Sequence, residues 1–119
     1  MNARPLVILS GAIEAATGAA LVLTPQLVAR LLLGAELSGT GFAVARLAGV
    51  ALLSLSIACW PGGDEAAPQA TRALFAYNLL AGVYLGYLRV SGGFTGPLLW
   101  PACVLHLVLA IPMARSSLR

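Results

Sequence analysis

The chain has 119 residues, of which 60% are hydrophobic and only 9% are charged, and its mean hydropathy is +0.92. A soluble domain of this size exposes much of its surface and needs polar side chains there, so this composition excludes a water-soluble globule and fits a chain surrounded by lipid. The net charge of +3 comes from arginines alone, and because these are scattered singly, without a basic stripe or interleaved aromatics, nucleic acid is excluded as a partner.

The first apolar stretch, residues 5–24, follows a single early arginine and has the look of a secretion signal. Glu14 sits in the middle of it, where a signal is purely apolar, and three further apolar stretches follow, so it is expected to be a retained helix. Thr24-Pro25 stops that helix, since proline biases its predecessor away from helical geometry. The next segment, 26–37 (QLVARLLLGAEL), carries Leu27 and Leu31 with Arg30 and Glu36. It is too short to span and is expected either to lie along the membrane surface or to extend the first helix past a kink.

A second stretch, 40–60, ends at Trp60-Pro61-Gly62-Gly63, a run that breaks helices. PGGDEAAPQA is the most polar part of the chain and reads as a loop. The third stretch covers 71–90, and Ser91 to Gly96 form the turn into the fourth, 97–114. Pro101 and Pro112 bracket that last stretch, and Pro112 is expected to kink it and free a carbonyl. Each stretch meets the requirement of about 20 residues for a ~30 Å hydrocarbon core.

These features predict a single all-α domain over 1–119, an integral membrane protein built as an antiparallel four-helix transmembrane bundle with both ends on one face. Arg4, Arg72, Arg115 and Arg119 fall on that face, and Arg30 and Arg89 on the other. The excess of arginine marks the face holding the termini as cytoplasmic, in a membrane expected to be the bacterial inner membrane. Trp60, Tyr87 and Trp100 are placed at the interfaces as an aromatic belt.

Ionisable groups inside a membrane span cost about 2.5–3.5 kcal/mol on insertion scales and are usually paired or face a cavity. Spans one, two and four each carry one, Glu14, Arg46 and His106, and the third carries the amide of Asn78. At ~1.5 Å rise per residue, Glu14 lies about 14 Å from the cytoplasmic side, His106 about 12–16 Å, Arg46 about 20 Å and Asn78 about 10 Å. A long arginine side chain covers the difference, so a Glu14–Arg46 pair oriented by His106 is expected, with the Tyr84 hydroxyl at the depth of Arg46. Two readings remain open: a structural clasp holding the bundle together, and a site for a ligand or a proton. Gly11 and Gly18 about Glu14, Gly49 after Arg46, and Gly82 and Gly86 after Asn78 supply small surfaces for close packing in either case.

Cys59 and Cys103 have neither CxxC pairing nor ligand spacing and read as small packing residues. One histidine without a carboxylate in its own turn does not make a metal or haem site, so no metal and no cofactor is expected. Ser54 and Ser56 have no recognisable base, and no phosphate-binding loop is present.

The segments TPQLVARLLLGAELSGTGFAVARLAGVALL, YNLLAGVYLGYL and GPLLWPACVLHLVLA resemble those of uncharacterised bacterial four-helix membrane proteins whose layout is similar to the DoxX-like proteins. The resemblance covers most of the chain, carries no established reaction, and implies a four-helix fold with Arg46, Asn78, Trp100 and His106 as positions of interest. Length, span number and the position of Glu14 are also similar to the small multidrug resistance transporters, which place an essential glutamate on their first helix. The chain departs from that pattern in lacking a Trp-Ser-Gly run on the third span and in carrying Arg46. The expected function is therefore that of a non-enzymatic accessory or interaction subunit or a binder of a lipid-like small molecule. The alternatives are a dimeric proton-coupled transporter acting through Glu14 and a lipid- or quinone-modifying membrane enzyme using His106. The expected partners are the lipid bilayer and either a second copy of the chain or another membrane protein.

Overall fold

A computed structural model describes residues 2–118; Arg119, counted above among the cytoplasmic arginines, lies outside them. The described residues form five helices, α1 (Arg4–Leu23), α2 (Pro25–Leu33), α3 (Gly39–Cys59), α4 (Pro68–Ser91) and α5 (Leu99–Ser117), and no strand. Four of these, α1, α3, α4 and α5, are long and apolar enough to cross a membrane. Large apolar side chains remain exposed on their outer faces, with Ile57 78%, Leu23 77% and Val90 76% exposed. Such a surface suits hydrocarbon and not water.

Helix boundaries follow the prolines. Pro25 and Pro68 open α2 and α4, where the missing N–H costs nothing. The polar loop is accordingly shorter than PGGDEAAPQA, because its last residues already belong to α4. Pro112, in contrast, lies inside α5, which continues to Ser117, so the fourth apolar stretch is helical past its expected end at 114. A proline there removes one backbone hydrogen bond without ending the helix, and a membrane helix tolerates that when neighbouring groups repair the gap.

The helices associate mainly as two hairpins, α1 with α3 and α4 with α5. In the first, Gly11 meets Ser56 and Trp60, Gly18 meets Gly49 and Leu53, and Arg46 reaches Val22, so residue numbers rise along α1 as they fall along α3. A Cβ added to Gly49 would stand 2.6 Å from the Gly18 carbonyl oxygen, which shows how closely the two backbones approach. In the second hairpin, Gly82 abuts Leu107 and accepts a hydrogen bond from Cys103 Sγ at 3.2 Å, while Gly86 faces Cys103. Both cysteines are buried packing residues without a disulfide.

At the end of the molecule holding the termini, Val7, Cys59, Ala70, Leu74 and Met113 from all four long helices enclose a core, with Val7, Leu74 and Met113 completely buried. The Asn2 amide and the Arg4 guanidinium donate to the Asp64 and Gly63 carbonyls and tie the first turn of α1 to the α3–α4 loop.

At the opposite end, α2 is a helix in its own right. Gly34, at φ 65°, closes it in the left-handed conformation that glycine adopts without penalty. The Gln26 side chain binds the Ala35 carbonyl and the Leu37 amide, and Arg30 pairs with Glu36 at 2.8 Å, which folds the following loop back onto the helix. Thr95 and Leu98 donate backbone hydrogen bonds to the Leu33 and Leu31 carbonyls, and a Cβ on Gly96 would overlap the Leu32 carbonyl. The α4–α5 turn is thereby stitched to α2, which joins the two hairpins at this end.

Candidate functional site

Between the closed end and α2 the hairpins stand apart and leave a cleft of about 770 Å³. Ala16 and Ala20 of α1 and Ala48 and Ala51 of α3 form one wall, Ala81 and Leu85 of α4 with Ala102 and Leu105 of α5 the other, and Val28, Leu31 and Leu32 of α2 the roof. Its polar lining consists of Thr17, Tyr77, Tyr84 and His106, and among the described residues no Arg, Asp or Glu lines it.

The inner end of this cleft is a group of polar side chains drawn from α1, α4 and α5. Asn78 is completely buried, and its amide nitrogen donates to Ser10 Oγ at 2.9 Å and to the Leu74 carbonyl at 2.8 Å. His106 Nδ1 lies 2.8 Å from Asn78 Oδ1 and 3.9 Å from Glu14 Oε1. Tyr77 packs edge-on against the imidazole, with ring centroids 5.6 Å apart. The Tyr77 phenol also lies beside the Glu14 carboxyl group. Glu14 is 1% exposed, and neither of its oxygens has a hydrogen-bond partner of acceptable geometry. A neighbouring contact secures α1, as Ser56 Oγ donates to the Gly11 carbonyl at 2.7 Å.

Glu14, Asn78 and His106 thus come together as their depths imply, whereas Arg46 does not join them. Its side chain is exposed, with Nε donating to the Val22 carbonyl at 3.3 Å and the guanidinium 5.9 Å from the Phe42 ring centroid. The expected Glu14–Arg46 pair is therefore absent. The reason is direction: helical side chains lean toward their own N-terminus, so Arg46 reaches back toward the start of α3. Val22 lies eight residues beyond Glu14, about 12 Å further along α1.

Tyr84 also stands apart from the polar group. It is 59% exposed at the mouth of the cleft and stacks on Tyr87, with ring centroids 6.2 Å apart. Of the remaining aromatic positions, Tyr87, Trp60 and Trp100 are all exposed, and the Trp60 indole folds back over Gly11. Two members of the group, Ser10 and Tyr77, were not among the expected site residues. Ser10 precedes Glu14 by one helical turn, so spacing placed it on the same face, whereas Tyr77, adjacent to Asn78, carries no such signal because neighbouring helical residues do not share a face.

Among the described residues no three His, Cys, Asp or Glu side chains gather as they would to hold a metal. Comparison with protein-family models, curated proteins and solved structures yields no match. The chemistry of the site therefore rests on its geometry. It is an apolar slot between two hairpins that ends on one imidazole and one phenol, with a carboxyl group sealed behind them.

Proposed function

We propose that this chain is an integral membrane protein, an antiparallel four-helix transmembrane bundle that holds a lipophilic small molecule between its two hairpins and carries out no reaction of its own. The observation that carries this reading is the cleft: about 770 Å³, walled by alanine and leucine, roofed by α2 and ending on a few convergent polar groups. Small-molecule sites have this character, with mostly apolar walls and a small number of orienting polar atoms in a volume of roughly 300–1,000 Å³. Exposed lining residues such as Ala16, Ala51 and Tyr84 place its edges at the surface that would meet lipid, so the ligand would enter from the bilayer. Arg4, Arg72 and Arg115 at the end with the termini, against Arg30 and Arg89 at the other, support cytoplasmic termini in a bacterial inner membrane. A four-helix layout similar to the DoxX-like proteins is part of the same proposal.

In lipid nanodiscs the protein should bind a single equivalent of dodecanol saturably. Ala51→Trp, which fills the cleft from an exposed wall position, should weaken this at least tenfold while leaving the thermal transition in place. Equal binding by the two proteins would locate the ligand elsewhere.

A second reading, proton-coupled transport by a dimer, is favoured by one feature. Glu14 is a buried carboxyl group without a hydrogen-bond partner, and such groups within membrane spans mark proton pathways. Proteoliposomes carrying wild type or Glu14→Gln decide it: substrate-driven proton release that disappears in the variant supports transport, and equal traces remove it.

A further inference from the structure

The hydrogen bonds around Asn78 determine which atoms of the site give protons and which accept them. A backbone carbonyl only accepts, so the Asn78 atom 2.8 Å from the Leu74 carbonyl is its nitrogen. The second amide hydrogen goes to Ser10 Oγ at 2.9 Å, with Met113 Sδ at 3.9 Å beside it. Asn78 Oδ1 is left to accept, and its partner at 2.8 Å, His106 Nδ1, must carry the proton. In the neutral ring the lone pair then resides on Nε2. That atom has no hydrogen-bond partner among the described residues and is not fully buried, and His106 lines the cleft.

The other polar groups of the cleft differ in where their hydrogens go. Thr17 Oγ1 donates to the Ile13 carbonyl of its own helix at 2.9 Å. The Tyr77 hydroxyl lies beside the Glu14 carboxyl group without a hydrogen bond of acceptable geometry, and the Glu14 oxygens themselves are sealed from the cleft. Tyr84 keeps a free hydroxyl, but at the exposed mouth. The inner end of the slot therefore presents the His106 Nε2 lone pair, with the Tyr77 hydroxyl turned toward the Glu14 carboxyl group, within walls that carry no formal charge among the described residues. A charged head group would lose its hydration there without meeting a counter-charge, and a carbonyl or ether oxygen would face another acceptor.

We propose that the molecule held in the cleft is a neutral lipid alcohol whose hydroxyl donates to His106 Nε2 while its tail runs between the hairpins toward α2. This assignment rests on the cleft being the binding site, as argued above. Leu98, beside the α2 roof, precedes His106 by eight residues, about 12 Å along the helix, which accommodates a medium-length chain. Asn78 and Ser10 act as positioning residues, because they hold the imidazole in the tautomer that leaves Nε2 free.

The experiment uses the unaltered protein in nanodiscs, labelled with nitrogen isotope at its single histidine, and three probes of one chain length: dodecanol, its methyl ether and the corresponding methyl ketone. The free protein should show a neutral imidazole protonated at Nδ1, and dodecanol should move the Nε2 resonance to its hydrogen-bonded position. Dodecanol should also bind about tenfold more tightly than the ether or the ketone, the selectivity expected when one buried polar group loses its partner. Equal affinity for the three probes with an unmoved Nε2 overturns the alcohol assignment and leaves the cleft reading standing. Tightest binding of the ketone, or a free protein protonated at Nε2, overturns it as well. If none of the probes binds in a way that Ala51→Trp alters, the cleft reading itself falls.

Discussion

The two ends of this bundle are built from the same four long helices, yet one is closed and the other is open. Near the termini, Val7, Leu74 and Met113 are completely buried and fill the space between the hairpins. Beyond the Asn78 layer the facing positions on α1 and α3 are Ala16, Ala20, Ala48 and Ala51, and the space remains as the cleft. Side-chain volume at the facing positions accounts for the difference. The open end is held in place by α2 and its backbone hydrogen bonds from the α4–α5 turn, so it does not need a filled centre to keep its shape. The polar group lies at the boundary, where a packed core gives way to accessible space.

The largest expected effect tests that contrast directly. Leu74→Ala removes a completely buried side chain from the closed end and should cost about 3 kcal/mol, the middle of the range for core leucine truncations. Leu85→Ala in the cleft wall enlarges a space that already exists and should cost about 1 kcal/mol or less. Reversible unfolding in mixed micelles measures both. Equal losses would mean that the cleft closes in lipid and that the two ends are packed alike.

Next in size is a contrast between the two hairpins. At Gly49 an added Cβ meets a backbone oxygen, that of Gly18 at 2.6 Å, whereas at Gly82 it meets the Leu107 side chain at 2.7 Å. A backbone cannot rotate away and a leucine side chain can. Gly49→Ala should therefore destabilise by about 2–3 kcal/mol and Gly82→Ala by about 1 kcal/mol, both within the span for overpacked positions. The same unfolding assay reads them, and a reversed order would show that the α1–α3 hairpin is the more adaptable one.

Much of this was legible in the chain itself, and the failures share a cause. Hydropathy and prolines located the long helices to within a few residues, because a membrane span demands length and apolarity and little else. Glu14, Asn78 and His106 stood out by rarity, and counting residues put them at compatible depths. Counting gives height along a helix and says nothing of which way a side chain faces. Arg46 was misjudged on that account, and Ser10 and Tyr77 were passed over. The cleft was hidden for a related reason: small residues read as surfaces for close helix contact, and the cleft-lining Ala16, Ala20, Ala48 and Ala51 are small residues too. They serve that purpose only where a partner backbone comes near, as Gly18 and Gly49 do, and otherwise leave a void.

The smallest expected effect concerns Arg46 and separates two pictures of the polar layer. If Arg46 were the counter-ion of Glu14, its removal would strand a buried charge and cost about 3–5 kcal/mol. In the structure it is an exposed residue with one long hydrogen bond, to the Val22 carbonyl at 3.3 Å, and a contact with the Phe42 ring. Arg46→Gln keeps a polar group able to reach the same carbonyl, so its cost should be about 0.5 kcal/mol or less, the size usual for an exposed site. It should also leave dodecanol affinity unchanged, because Arg46 does not line the cleft. A loss of several kcal/mol would restore the ion pair and make the polar layer a clasp. A negligible one leaves Glu14 without an arginine partner, sealed behind the imidazole and phenol at the inner end of the cleft.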